Sequence, residues 1–172
     1  MEINAFKVDN GIGLIINDVT EKILAESKFT NLMESAPDAM VIINKSGKIE
    51  LVNKQTEVLF GYKREELLEA PIEILMPNRF RQEHPQYRKN YFSHTKVRPV
   101  GQGMELWAVR KNGTEFPVEI SLSPFETTDE VLVSAAIRDV TERMNSQELI
   151  KNYNIELNTT NEELQAPTER TI

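Results

Sequence analysis

The sequence predicts an α+β fold, in which a five-stranded antiparallel sheet carries short helices on one face and is flanked by N- and C-terminal helices. Three observations lead to this fold class. Apolar and polar residues alternate in several runs, as in strands with one buried face. Turn-forming residues separate these runs. Between the second and third runs the apolar spacing becomes helical and is interrupted by Gly61 and Pro71.

The first two strands are expected to form a hairpin. Residues 39–44 read AMVIIN and residues 49–53 read IELVN. Between them stands Lys45-Ser46-Gly47-Lys48, a polar, glycine-containing turn. The helical middle of the chain follows this hairpin. Helical spacing relates the apolar residues of this segment and one threonine: Thr56, Leu59, Phe60, Leu67, Leu68, Ile72 and Leu75.

The last three strands are predicted to form a meander. Asn112-Gly113 divides a hairpin over residues 104–122, and this dipeptide favours a type I′ turn. After the turn, Phe116, Val118, Ile120 and Leu122 alternate with polar residues. A final strand over residues 131–137 follows the polar turn at residues 126–129.

Three segments carry a resemblance to a known family. They read MPNRFRQEHPQYRKNYF from residue 76, GQGMELWAVRKNGTEFPVEISLS from residue 101 and VLVSAAIRDVTER from residue 131. In this order they resemble the second half of a PAS sensory domain, which implies a PAS fold over residues 37–141. The resemblance extends to the PAS domains of bacterial and archaeal sensor histidine kinases. It implies a sensory module of a multi-domain signalling protein whose kinase domain is absent from this sequence.

Both ends of the chain contain a related motif. GLIINDVTEKILAE and VSAAIRDVTERMNSQE each join an apolar strand to Asp-Val-Thr-Glu and then to a polar helix. We interpret Asp18 and Asp139 as helix caps, with Glu21 and Glu142 three residues later completing a capping-box-like pair. PAS domains commonly end in such a segment, so residues 1–17 resemble the terminal strand of a preceding module.

The flanking helices are expected at residues 18–36 and 142–165. The first is a linker helix with an apolar stripe of Ile23, Leu24, Phe29, Leu32 and Met33. The second has a seven-residue repeat, with Ile150, Leu157 and Leu164 at d positions and Gln147, Asn154 and Asn161 at a positions. This pattern favours a parallel coiled coil and hence a parallel homodimer; a solvated single helix is the alternative. Residues 166–172 are expected to be disordered.

Composition excludes several classes of function. The 172 residues carry a formal net charge of −7, which disfavours nucleic-acid binding. No apolar run is long enough for membrane insertion and no secretory signal is present, so a cytoplasmic location is expected. The absence of cysteine excludes disulfides, thiolate metal sites and cysteine-adduct photochemistry. Carboxylates at residues 65–66 and 162–163 are expected on solvated helix faces, and we find no catalytic constellation.

His84 is the residue most suggestive of a ligand site. Phe80, His84, Tyr87 and Tyr91 would share one face of a continuous helix directed at the sheet. Pro85 leaves a second arrangement open, in which His84 stands at a helix start.

The resemblance extends to haem-binding PAS domains of oxygen-sensing nitrogen-fixation kinases. In those domains a histidine at the position of His84 ligates the iron of haem b, and in a related branch a methionine, here matched by Met104, is the second axial ligand. Tyr87 and Leu106 would line this pocket. Two arginines of the oxygen-sensing pattern are replaced here, by Asn90 and Met104.

Three functions therefore stand open. The leading one is a module that senses a small ligand or a partner and relays the signal to the C-terminal coiled coil. The second is a haem-based redox or gas sensor with His84 and Met104 as axial ligands. The third is a ligand-free dimerisation and relay module. In each, the residues expected to pass the signal between sheet and helix are Arg138, Asp139, Thr141 and Glu142.

Overall fold

The computed structural model of the chain describes residues 2–8, 11–17, 20–93, 98–100, 106–127 and 130–165. The strands among these residues are β1 (Glu2–Val8), β2 (Gly11–Asn17), β3 (Ala39–Ile43), β4 (Ile49–Val52), β5 (Arg98–Val100), β6 (Leu106–Val109), β7 (Glu115–Glu126) and β8 (Val131–Asp139). The helices are α1 (Thr20–Ser35), α2 (Lys54–Phe60), α3 (Arg64–Leu67), a 3₁₀ helix (Ile72–Leu75), α4 (Asn78–Arg81), α5 (His84–Ser93) and α6 (Thr141–Gln165).

The main sheet has the strand order β4-β3-β8-β7, and both β5 and β6 pair with β7 along its other edge. All pairings are antiparallel. Val100 pairs with Ile120 and Leu106 pairs with Val118, so β5 and β6 occupy successive parts of one strand position. The expected five-stranded antiparallel sheet is therefore confirmed, with its third strand described in two segments.

The core lies between the sheet and the short helices. Alternate residues of each strand face it, as the period-2 pattern predicts. The buried residues of this inner cluster are Ala39, Val41, Ile43, Ile49, Val52, Phe60, Leu67, Ile72, Leu75, Tyr91, Ala108, Phe116, Val118, Val133, Ala135 and Ile137. A smaller cluster on the opposite face contains Met33 of α1 against Ile42 and Leu132. The end of α1 therefore covers the outer face of the sheet.

The two predicted hairpin turns form, but one has a different geometry. In the β3–β4 hairpin, Gly47 adopts the left-handed conformation with φ of +84°. In the β6–β7 hairpin, Gly113 has φ of +87°, but Asn112 does not have positive φ, since Glu69 is the only non-glycine with positive φ among the described residues. A type I′ turn needs positive φ at both central residues, so that prediction is wrong. Arg110 instead accepts a bond from Gly113, as in a three-residue loop that ends in a left-handed glycine.

The short helices end where the sequence predicts breaks. Asn53 caps α2 by accepting a hydrogen bond from the Thr56 amide, and Gly61 ends this helix with φ of +75°. Pro71 precedes the 3₁₀ helix. Local sequence therefore sets the boundaries of this helical layer.

The first 17 residues contain two strands where we expected one. β1 and β2 form a separate antiparallel hairpin, with Glu2 paired to Asn17. The helix α1 that follows does not carry its apolar residues on one stripe. Successive residues turn by about 100°, so Ile23, Leu24 and Leu32 point in three directions, and they are exposed. Of the five predicted stripe residues, Met33 alone is buried.

The long helix α6 leaves the sheet with most of its apolar side chains exposed. Leu149, Ile150, Tyr153 and Leu157 fall within about 100° of one another around the axis and are exposed. An open groove of about 720 Å³ lies between the start of α6 and the β6–β7 hairpin, next to Trp107. No helix in the described part of the chain is long and apolar enough to cross a membrane. Asp18 and residues 166–172 lie outside the described residues.

Candidate functional site

His84 begins helix α5 and is held by a carboxylate. Pro85 lies in the first turn of α5, where a residue without an N–H costs no helical hydrogen bond. In the interior of a single long helix it would remove one, and α4 and α5 are accordingly separate helices. The Nδ1 atom of His84 lies 2.9 Å from Oε1 of Glu73 in the 3₁₀ helix. An ionised carboxylate only accepts hydrogen bonds, so Nδ1 carries the proton and donates it.

Glu73 also binds Arg88, one turn further along α5. The Arg88 guanidinium donates to the same Oε1 atom and, at 2.9 Å, to the carbonyl of Ser46. The Glu73 and Arg88 side chains are only 13% and 11% exposed. Burial acts to raise the pKa of Glu73, but the hydrogen bond with His84 and the charge of Arg88 outweigh it and hold this pKa below its ordinary value.

This ionic group, which we call the Glu73 cluster (Glu73, His84 and Arg88), fixes α5 to the β3–β4 hairpin. The Arg88 guanidinium lies against Gly47, and a Cβ atom on Gly47 would overlap it. Gly47 therefore has two reasons to be glycine: its positive φ and this close approach.

The predicted pocket residues do not all come together. The His84 side chain is 31% exposed. Tyr87 is 64% exposed and Phe80 is also on the surface, so their expected position facing the sheet is wrong. The break between α4 and α5 separates Phe80 from the predicted continuous face, whereas Tyr87 shares a face of α5 with Tyr91 but lies one turn nearer the start of that helix. Of the three aromatic residues predicted on this face, Tyr91 alone belongs to the inner cluster.

Two further predicted residues have different outcomes. Leu106 is half-buried and packs against the inner cluster, which agrees with an inward-facing strand position. Met104 lies outside the described residues, and so does His94, the other histidine of the sequence. Asn90 is exposed and accepts a hydrogen bond from Gln86 at 3.1 Å.

The imidazole of His84 has the hydrogen bonding of a metal ligand. A ligating histidine usually donates its other ring N–H to a carboxylate or carbonyl, which fixes the tautomer and leaves a lone pair on the ligating nitrogen. Glu73 takes that role here, so His84 fits an axial ligand of haem through Nε2. Tyr87 does not fit the wall of a haem pocket because its side chain is exposed. No three acidic or histidine side chains in the described ranges converge as a metal site of their own.

A second group of polar residues joins the sheet to α6. Asp139 ends β8, and its Oδ1 atom accepts hydrogen bonds from the Thr141 amide at 2.9 Å and the Thr141 hydroxyl at 2.6 Å. Its Oδ2 atom accepts a bond from Nη2 of Arg110 at 2.7 Å. We call Asp139, Thr141 and Arg110 the Asp139 junction.

Arg110 is the part of this junction that the sequence did not indicate. Its guanidinium lies 3.9 Å from the centre of the Phe116 ring and donates to the carbonyl of Leu59 near the end of α2. The one local signal was a cation at the end of the WAVR strand. Because Phe116 is in the inner cluster, Arg110 connects the core and α2 to Asp139.

The prediction that Asp139 is the N-cap residue of α6 is wrong by one position, because α6 begins at Thr141 and the Met144 amide donates to the carbonyl of Val140, which is therefore the N-cap. The carboxylate binds the first residue of α6 instead of a residue two or three positions into the helix. Glu142 is exposed and forms no hydrogen bond with the described residues, so the capping-box pair is absent. Burial acts to raise the pKa of Asp139, but the bonds from Thr141 and Arg110 outweigh it and lower this pKa.

Arg138 turns to the other side of β8. Its Nε and Nη2 atoms donate to the two carboxylate oxygens of Asp38 at 2.9 and 2.8 Å. Within α6, Arg143 pairs with Glu119 of β7. Three ion pairs therefore surround the point where α6 leaves the sheet.

Comparison with known proteins places this architecture in a family. A model of the PAS domain matches residues 37–142. The chain is 29% identical over 132 residues to the sensor protein FixL of Bradyrhizobium diazoefficiens, covering 77% of this chain and 26% of FixL. It is 30% identical over 124 residues to the oxygen sensor protein DosP of Escherichia coli, covering 72% of this chain and 16% of DosP. The chain thus spans about a quarter or less of these curated relatives.

Solved structures agree. The PAS domain of an HTR-like protein from Haloarcula marismortui superposes with a TM-score of 0.58 at 29% identity, covering 69% of this chain and 96% of that one. A PAS domain from a two-component sensor histidine kinase gives a TM-score of 0.57 at 17% identity, covering 69% of this chain and 98% of that one, a likeness of fold alone. With the family match over more than half of its length and the same sheet and helices, this chain belongs to the PAS domain family of sensory modules.

Proposed function

We propose that this chain senses a small ligand or a partner protein at the inner face of its sheet and passes the signal into α6 through the Asp139 junction. The observation that carries this proposal is the position of Arg110. One guanidinium contacts the core at Phe116, the end of α2 at Leu59 and the start of α6 through Asp139. A change in core packing that displaces Phe116 would therefore alter the group that holds the first residue of α6.

A ligand shifts such a junction only if it binds the two arrangements with different affinity. The junction is suited to two arrangements because its contacts are polar and partly solvated, with Arg110 and Asp139 side chains 30% and 28% exposed. An ion pair at such a site is worth little free energy and can be exchanged for water at low cost. The start of α6 can then shift without unfolding the sheet.

We further propose that α6 works as a parallel homodimer. Four of its exposed apolar residues, Leu149, Ile150, Tyr153 and Leu157, lie on one side, which supports pairing with the same helix of a second chain, while Ile155 is exposed on the other side. In the longer protein, residues 1–17 would end a preceding sensory module, residues 18–36 would link it to the PAS domain at 37–141, and residues 142–165 would lead towards a histidine kinase. The similarity to FixL, a sensor protein, supports a signalling context of this kind, and we propose a cytoplasmic location for it.

The second candidate function is oxygen or redox sensing through haem. It is favoured by the bond between His84 Nδ1 and Glu73, which leaves Nε2 as a ligand atom, and by the similarity to the oxygen sensor protein DosP. Bound haem would supply reversible gas binding or a one-electron redox change. Titration with haemin tests it: a Soret band that His84→Ala removes supports haem, whereas identical spectra for both proteins exclude His84 as a ligand. A relay without any ligand is the third candidate.

The relay itself is tested by joining α6 in register to the catalytic core of a histidine kinase. Arg110→Gln should change the autophosphorylation rate because it disconnects Phe116 from Asp139. Lys48→Gln is the matched control, since Lys48 forms an exposed ion pair with Glu69 far from α6 in the chain order. Equal rates for the wild type and Arg110→Gln would contradict the proposal.

A further inference from the structure

We infer that a second route leads into α6, from the end of α1 through the Asp38–Arg138 ion pair, without passing through the inner face of the sheet. The proposed function above describes a signal that arises inside the domain. This second route would let the movement of an upstream helix reach α6 while the inner face stays unchanged.

The route starts where α1 ends. The side-chain amide of Asn53 is fully buried and donates to the carbonyl of Met33 at 3.1 Å and to the carbonyl of Asp38 at 2.9 Å. One amide therefore holds both the last turn of α1 and the segment that enters β3. Glu34 adds a second attachment, since its carboxylate accepts bonds from the Lys54 amide at 2.8 Å and from Arg64.

Strand register brings the next pair together. Ala39 of β3 pairs with Ile137 of β8, so Asp38, just before β3, stands opposite Arg138, just after Ile137. The guanidinium and the carboxylate form two parallel hydrogen bonds of 2.9 and 2.8 Å. A two-bond fork fixes the relative orientation of its partners as well as their distance, and in this route it is the contact through which a shift of Asp38 would reach Arg138, whose side chain is 60% exposed.

The last step is a covalent one. Arg138 is followed directly by Asp139, whose carboxylate holds the Thr141 amide at the start of α6. The contacts from Met33 through Asn53, Asp38 and Arg138 to Asp139 are continuous. None of these five residues belongs to the inner core cluster. The two routes therefore meet at Asp139, and they also share α2, which Asn53 caps at its start and Arg110 contacts at Leu59 near its end.

Amide hydrogen exchange in the 172-residue chain tests this inference. Glu34→Gln loosens the end of α1, and the readout is the exchange of amides in the first turn of α6, including Met144, which donates to the carbonyl of Val140 at 2.9 Å. We expect Glu34→Gln to speed this exchange by about twofold or more, relative to core amides of β3 and β8 measured in the same samples. In a background carrying Asp38→Asn and Arg138→Gln, the same change should have no effect on α6.

The matched background removes another exposed ion pair, with Lys48→Gln and Glu69→Gln. There the effect of Glu34→Gln on α6 should persist. The inference is overturned if Glu34→Gln leaves α6 unchanged in the wild type, if its effect survives loss of the Asp38–Arg138 pair, or if the control background abolishes it as well. Referring each rate to the core amides separates transmission from a general loss of stability.

Discussion

Replacement of Asp139 by alanine should destabilise the domain by about 2 kcal/mol, as the sum of two losses. The carboxylate accepts hydrogen bonds from the Thr141 amide and hydroxyl at the start of α6, and loss of hydrogen bonds of this kind costs about 1 kcal/mol. It also pairs with Arg110 at 2.7 Å with both side chains about 30% exposed, and loss of a pair at this depth costs about 1 kcal/mol more.

Urea unfolding at neutral pH measures this difference, provided that the slope with denaturant is unchanged. Asp139→Asn keeps an oxygen that can accept from Thr141, so it should lose only the ionic half, about 1 kcal/mol. Glu69→Gln removes an exposed ion pair with Lys48 and should cost less than about 0.5 kcal/mol. If Asp139→Ala costs no more than Glu69→Gln, the junction does not hold α6 as we describe.

The pH dependence follows from the same carboxylate. Because the pKa of Asp139 is lower in the folded chain than its ordinary value, the unfolded state binds the proton first as pH falls. Its contribution is complete above about pH 4, the ordinary range of an aspartate, and is lost as pH falls through the lowered folded value. The stability difference between wild type and Asp139→Asn should therefore be constant from neutral pH to about pH 5 and shrink below about pH 4. A difference that grows on acidification would contradict the assignment.

Two further predictions concern the rest of the domain. Gly47→Ala and Gly113→Ala both place alanine at positive φ, at a strain of about 1 kcal/mol. Only Gly47→Ala also displaces Arg88, so the urea midpoint of this variant should be clearly lower than that of Gly113→Ala. Equal midpoints would refute the contact between Gly47 and Arg88. Asn53→Ala should destabilise the chain by about 3 kcal/mol or more, because it leaves buried backbone groups of α1 and β3 without partners. The same urea titration measures this loss. A cost below about 1 kcal/mol would show that water replaces the Asn53 amide.

The sheet could be predicted because its signals are local. Alternation in β7 and β8 and the glycines at the two hairpins depend on neighbouring residues alone. The turn at Asn112 shows the limit of this reasoning, because the dipeptide favours one geometry while the loop length of the paired strands selects another. Pairing between the two strands of the hairpin overrode the preference of the dipeptide there.

The sites could be predicted only in part. His84 and Asp139 stood out by residue type and motif, but their partners did not. Arg110 is 29 residues from Asp139 and 51 from Leu59, and no periodic pattern connects such distances. Glu73 was hidden for a related reason, because a single glutamate in a short helix is usually a solvated residue. Tyr87 was misplaced because helical spacing predicts which residues share a face but not how far along the helix the core extends; Tyr91, one turn later on the same face, is buried.

The measurement that tests the central claim most directly is amide exchange at the start of α6 in Arg110→Gln. Arg110 reaches Thr141 through Asp139, so the amides of Thr141 and Met144 should exchange faster than in the wild type, while Lys48→Gln leaves them unchanged. If α6 exchanges at the wild-type rate in Arg110→Gln, although its urea midpoint is lowered, then Arg110 stabilises the sheet alone and the Asp139 junction does not carry a signal from the core to α6.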